Sequence, residues 1–186
     1  MFDYRDTIKL AFITMVLSDT DIKSQVGDGT IAIEPFLTSN LKQGSYTFTL
    51  SALIFKPKPQ EIIDLSDPQV EHEAIKMKED GYILDPGEFV VGFTAEKLTL
   101  PQGIYCILGT RGSRAQLGLD VLQSSTLVEP GSDNQLALEI CNHSQSRIRL
   151  RAGDRIVKGI FLQLTSASES TNMDGEIMTR YIPQNI

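Results

Sequence analysis

The sequence is poor in the residues that bind structural metals or cross-link secreted folds: 2 cysteines and 2 histidines in 186 residues. Cys106 and Cys141 lie far apart at no metal-ligand spacing. His72 and His143 stand outside any C-x-x-C or H-E-x-x-H context. This argues against a zinc site and for reduced cysteines, with Cys141, inside an apolar run, expected in the core. A basic surplus is also missing, since 17 Lys and Arg face 24 Asp and Glu for a net charge of −7. That balance excludes the broad basic face needed to coat polymeric nucleic acid. A small anion is still admissible, because a few arginines and backbone N–H groups suffice to hold one. No apolar run reaches the roughly 18 residues of a membrane span. "LAFITMVL" is bounded by Lys9 and by Ser18-Asp19 too closely for a secretory signal. The expectation is a cytoplasmic protein without a membrane partner. What is present, 41% hydrophobic and 22% charged residues, is an ordinary globular balance. The length suits one domain with a substantial core.

Local signals predict a short helix and then many strands. In "LSDTDIKSQVGDG", Ser18 or Asp19 caps a helix, Asp21 adds first-turn charge, and Gly27 and Gly29 end it. "TIAIEPF" reads as a strand stopped by Pro35. In "GSYTFTLSALIF", Tyr46, Phe48 and Leu50 alternate with Thr47, Thr49 and Ser51, which predicts one apolar and one polar face. Lys56-Pro57-Lys58-Pro59 breaks that strand, and the acidic stretch from Glu61 to Asp80 reads as loop. Turn signals at Asp85-Pro86-Gly87 and Pro101-Gln102-Gly103 then separate short β runs through "IYCILG", "TLVEPG", "QLALEICN" and "SRIRLRAGDRIVKGIFLQL". The pattern predicts a mainly β sandwich or barrel-like roll. The polar tail from Thr165 carries no periodic pattern, and no coiled coil or exposed apolar stripe is readable.

Two stretches could carry chemistry. In "LALEICN", Leu136, Leu138 and Ile140 share one strand face while Ala137, Glu139 and Cys141 share the other. Small neighbours leave room beside Glu139 for a ligand; alternatively it is a carboxylate on a solvated face. Upstream, "LGTRGSRAQLGL" sets Arg111, Ser113 and Arg114 between Gly109 and Gly112. Such a turn can present N–H groups and a guanidinium to phosphate, or it is a surface turn with two solvated arginines.

"TRGSRAQLGL", "VEPG" and "LALEICN" together resemble the core of the dCTP deaminase family, relatives of the trimeric dUTPases. The family pattern is G-R-S-S-x-A-R-L-G-L, I-D-P-G, and a strand ending L-E-x-x-N. "LSDTDIKSQVGDGTIAIEPF", "YILDPGEFVVGFTAEKLTLP" and "LRAGDRIVKGIF" extend the likeness from about Val16 to Phe161. The resemblance implies a jelly-roll-like dUTPase/dCTP deaminase β-fold over residues 15–164. Residues 1–14 would be an extension and residues 165–186 a tail. It also implies a homotrimer with sites between subunits, and zinc-independent deamination of dCTP to dUTP and ammonia, with Mg2+ bound through the triphosphate. Glu139 would be the general base. Arg111, Gly112, Ser113 and Arg114 would form the phosphate turn, and Glu129 would contact the deoxyribose 3′-hydroxyl. The backbone at Ala137 and Leu138 would read the base. "TRYIPQ" resembles K-Y-R-x-Q, so Arg180 and Gln184 would close over the triphosphate.

The chain departs from the family pattern at the motif itself. Gly112 replaces the first serine of R-S-S, and Gln116 replaces the second arginine, which lies near the catalytic carboxylate. Glu129 replaces a shorter Asp, and Ser132 an aromatic. Losing one charge-assisted contact in a desolvated site costs roughly 2–4 kcal/mol of transition-state stabilisation. Two other functions therefore stand beside deamination: nucleotide binding without catalysis, and dUTP pyrophosphatase activity, alone or combined with deamination.

Overall fold

The computed structural model describes residues 16–66 and 70–170. The expected extension at 1–14, and Arg180 and Gln184 of the tail, lie outside them. Helix α1 spans Asp19–Gly27 and is capped as the sequence predicts. Ser18 Oγ accepts from the Asp21 N–H (3.2 Å), while the Asp21 carboxylate accepts from the Ser18 N–H (2.9 Å) and hydroxyl (2.7 Å). This is a reciprocal capping box, with Asp in the place of the more usual Glu.

Twelve strands follow. They are β1 (Ala32–Glu34), β2 (Leu41–Lys42), β3 (Ser45–Pro57), β4 (His72–Lys76), β5 (Tyr82–Leu84) and β6 (Phe89–Thr99). Then come β7 (Ile104–Thr110), β8 (Leu119–Asp120), β9 (Leu127–Val128), β10 (Asp133–Asn142), β11 (Ile148–Leu150) and β12 (Arg155–Gln163). One helical turn, α2 (Gly112–Ala115), sits between β7 and β8. Ten strands form one antiparallel sheet in the order β8-β10-β6-β3-β12-β7-β9, with β1 on β6 and β2 and β4 on β3, while β5 and β11 pair separately.

The long strand β3 makes the sheet fold over. Its first half, Tyr46 to Thr49, pairs with β12, and its second half, Leu50 to Phe55, pairs with β6. Between Leu50 and Ile54 the register slips, and such an irregularity bends a strand and sharpens its twist. The two halves therefore wrap one core, in which Tyr46, Phe48, Leu50, Leu138, Ile140 and Phe161 are fully buried. Thr47, expected on the polar face, is buried as well, because each half of the strand is covered differently.

Two further expectations give way to pairing and packing. The acidic stretch is not all loop: His72–Lys76 pairs with β3 along Leu53 to Pro57. Ile75 packs on the core, and Lys58 Nζ meets the Glu71 carboxylate at 2.8 Å. The buried cysteine is Cys106, whereas Cys141 is only partly covered. Asn142 ends β10 and is fully buried. Its amide donates to Leu84 O (3.1 Å) and Ser146 O (2.8 Å), and its carbonyl accepts from Ser144 N–H (3.0 Å) and Oγ (2.7 Å). The Asn of the L-E-x-x-N pattern is thus a structural tie.

Close packing makes a glycine necessary on β12. A Cβ at Gly159 would stand 2.8 Å from both Cys106 Sγ and Phe48 Cε2, and neither core side chain has room to withdraw. Gly159→Ala is expected to lower unfolding free energy by about 1–3 kcal/mol, the cost of overpacking a full core. A shift of the urea midpoint at unchanged m-value measures it; an unmoved midpoint contradicts this packing.

Candidate functional site

Strand β10 alternates as its sequence predicts. Leu136, Leu138 and Ile140 are buried, and Ala137, Glu139 and Cys141 lie on the opposite face. The register with β6 slips between Gln135 and Ala137, after which Ala137 stands opposite Phe93 and Glu139 opposite Val91. Phe93, Val91 and Phe55 form a second, smaller buried cluster, against which Ala137 packs. Strand β8 covers the other edge of β10 only at Cys141 and Asn142, and Leu122 bridges to Glu139. No described strand runs along that edge from Gln135 to Leu138. Leu138 keeps its side chain in the core, so only its backbone is available to a ligand.

Glu139, Ala137 and Glu129 line one groove of about 240 Å³, together with Ser125, Ser132 and Asn134. Glu129 is placed by the turn Glu129-Pro130-Gly131-Ser132. Gly131 takes φ +81°, and the Glu129 carbonyl accepts from the Ser132 N–H (3.2 Å) and Oγ (2.7 Å). Proline second and a left-handed glycine third make this a type II turn. Tyr105 donates its hydroxyl to the Glu129 carboxylate at 3.3 Å. The hydroxyl of Ser132, where the family has an aromatic, is directed at the turn.

Glu139 is electrostatically unsupported. Its Oε2 is buried without a hydrogen-bond partner. Burial first, and then the negative charge of Asp120, push its carboxyl up to about 7. The apolar neighbours on β6 explain the first cause, since an ion loses hydration there with no replacement. No lysine or arginine lines the groove.

The arginine turn lies apart from this groove in the single chain. Arg111 precedes α2, with its N–H on Ile156 O at 3.0 Å and its guanidinium without a partner among the described residues. Gly112, Ser113 and Gln116 are exposed. Neither Gly109 nor Gly112 takes a left-handed φ, and a Cβ at either would meet open space, so the fold itself does not demand these glycines. Arg114 turns away: its Nε donates to Arg155 O (3.3 Å) and its Nη2 to Asp154 Oδ1 (3.4 Å). It lines a different cavity of about 380 Å³ with Leu117, Arg147 and Ile148. Within one chain it cannot supply the cation that Gln116 removes.

Sequence reading missed Ser125, Asn134 and Asp120. Ser125 and Asn134 are polar residues in polar stretches and carry no local signal. Gln123 and Ser124, just before Ser125, both take positive φ (38° and 78°), a conformation that non-glycine residues adopt at a cost and that clusters at functional loops. Among the described residues no group of three or more His, Cys, Asp or Glu could hold a metal ion, and no helix is long and apolar enough to cross a membrane.

Comparison with known proteins adds independent support. Residues 16–164 match the family model described as dCTP deaminase-like. A Beutenbergia cavernae protein named "dCTP deaminase, dUMP-forming" is 30% identical over 171 residues, covering 90% of this chain and 89% of its own. A Mycobacterium tuberculosis protein of the same name is 32% identical over 159 residues, covering 83% and 84%. The 2′-deoxycytidine 5′-triphosphate deaminase structure from Agrobacterium tumefaciens superposes with a TM-score of 0.66 at 17% identity. It covers 81% of this chain, which spans 49% of that one, and shows the shared β-fold. The chain belongs to the dCTP deaminase-like family.

Proposed function

We propose that this chain deaminates dCTP by a zinc-independent hydrolysis and that its end product is dUMP. The observation that carries the reading is the Glu139 carboxylate, desolvated and with one oxygen unpartnered, in the same groove as Ala137 and Glu129. Ionised Glu139 takes a proton from water as the oxygen bonds to C4 of the ring, and passes it to N3. It then moves the proton of the new C4 hydroxyl to the exocyclic amine. The C4–N bond breaks, ammonia leaves, and Glu139 returns to its ionised form. A base with an affinity near working pH suits this shuttle. The backbone along the edge of β10 that β8 leaves uncovered, at Ala137 and Leu138, would read the base edge, and Glu129 would contact the 3′-hydroxyl.

The product dUMP replaces the dUTP expected from the family resemblance, because the relatives above are named dUMP-forming. A second water would cleave the α–β phosphoanhydride and release diphosphate, with Glu129 the second carboxylate of the groove. Mg2+ would arrive on the triphosphate oxygens as part of the substrate.

The described lining of the groove offers no cation to a triphosphate. We place the missing charge on a second copy, whose Arg111 and Ser113 would face this groove in a homotrimer. Ile107 stands opposite both Leu127 and Ile160 across three strands, and all three are exposed. Leu127 also lines the groove. This apolar stripe, unreadable in the sequence, is the surface we assign to the contact between copies. Binding without turnover is the second reading. It is favoured by Arg114's engagement with Asp154, which leaves Glu139 without a cation among the described residues of its own chain.

Glu139→Gln is expected to cut ammonia release from dCTP by about 10²–10⁴-fold while dCTP still binds; ammonia formed at the wild-type rate contradicts the proposal. Diphosphate and ammonia should appear in equal amounts with dUMP; dUTP accumulating without diphosphate would restore the first expectation. Raised to about 7, the Glu139 carboxyl favours the folded state while protonated. Its contribution is full below about pH 4.5 and is lost as pH rises through about 7, a difference of order 2–3 kcal/mol. Denaturant titration of wild type and Glu139→Gln should therefore diverge over that window, with the variant gaining. The acid limb of kcat/KM should sit near 7, and Gln116→Arg should lower it and raise the rate at pH 6.

A further inference from the structure

Asp120 stands where two parts of the molecule meet. It lies on β8 directly opposite Cys141, so its side chain shares the face that carries Glu139 two residues earlier on β10. Its Oδ1 accepts from Thr110 Oγ1 (3.2 Å) and from the Leu122 N–H (3.2 Å). Thr110 is the residue before Arg111, and Leu122 is the residue that bridges to Glu139. One carboxylate therefore ties the base of the arginine turn to the segment lying against Glu139.

We infer that Asp120 is a positioning residue for Glu139: bonded to both Thr110 and Leu122, it braces that junction and places a negative charge on the strand face that carries the carboxyl. The inference rests on the proposed role of Glu139. The other groups around Glu139 do not compete for this role. From β6 the neighbours are Phe89, Val91 and Phe93, and the groove wall from β7 and β9 is Leu108, Leu127 and Val128. Glu129 carries charge in the groove but is engaged by Tyr105. Cys141 faces His143, Sγ to Nδ1 at 3.9 Å, and Gln123 reaches the other ring nitrogen of that histidine at 3.4 Å. Burial raises the Glu139 carboxyl most and its own backbone N–H lowers it; after these, among the described residues, Asp120 is the charge that raises it.

Asp120→Asn separates charge from brace, because an amide oxygen still accepts from Thr110 and Leu122 while the charge is gone. The test is the titration of Glu139 followed by carboxyl 13C chemical shift in the ligand-free protein, beside the pH profile of ammonia release. Asp120→Asn is expected to lower the Glu139 midpoint and the acid limb together by about one pH unit, with the thermal midpoint unchanged at low pH, where Glu139 is protonated in both proteins. Asp120→Glu should keep both near wild type, and Asp120→Ala should shift both and also destabilise the fold. An unchanged Glu139 midpoint in Asp120→Asn overturns the inference. Wild-type protein that releases no ammonia contradicts the proposed function instead, and the 13C titration still decides the role of Asp120.

Discussion

A single carboxylate on an apolar strand face is the constraint that organises this site. β10 must bury Leu136, Leu138 and Ile140, so strict two-residue alternation sends Glu139 to the other face. There it meets Val91 across the strand, beside Phe93 and Phe89. Such surroundings destabilise the ion, and only its own backbone N–H offsets part of the loss among the described residues. A residue that weakens the fold at neutral pH fits the chemistry proposed for it better than a packing role. The same physics that makes Glu139 costly makes it a stronger base than a solvated carboxylate.

The rest of the site follows from how the curled sheet distributes charge. Strands β7, β9 and β10 build an acidic groove that no described cation lines, while the arginine turn follows the C-terminal end of β7. In the proposed reading neither half suffices for a nucleotide: one would offer a base and a hydroxyl partner, the other a guanidinium without a partner among the described residues. The exposed stripe of Ile107, Leu127 and Ile160 borders the groove, so association would hide apolar surface and bring opposite charges together in one step.

What was legible in the sequence was local. The Ser18 cap, the type II turn at Glu129 and the alternation in β10 each depend on residues within a few positions. What was not legible depended on register. β4 reads as acidic loop until its partner is known to be the Lys56–Lys58 end of β3. The apolar stripe takes one residue from each of three strands. Asp120 looks like a stray polar residue until pairing puts it opposite Cys141. Arg111 and Arg114 looked equivalent in the motif, yet only Arg114 finds Asp154, forty residues away. The glycines of the turn suggested tight backbone that the chain does not use.

The most direct test of a groove completed by a second copy is subunit complementation. Glu139→Gln and Arg111→Ala proteins, each inactive alone, would be unfolded together, refolded as a mixture and assayed for ammonia from dCTP. A site shared between copies predicts recovery of about a quarter of wild-type activity at equal mixing, since each copy then supplies what the other lacks. A mixture as inactive as its parts would contradict the shared site.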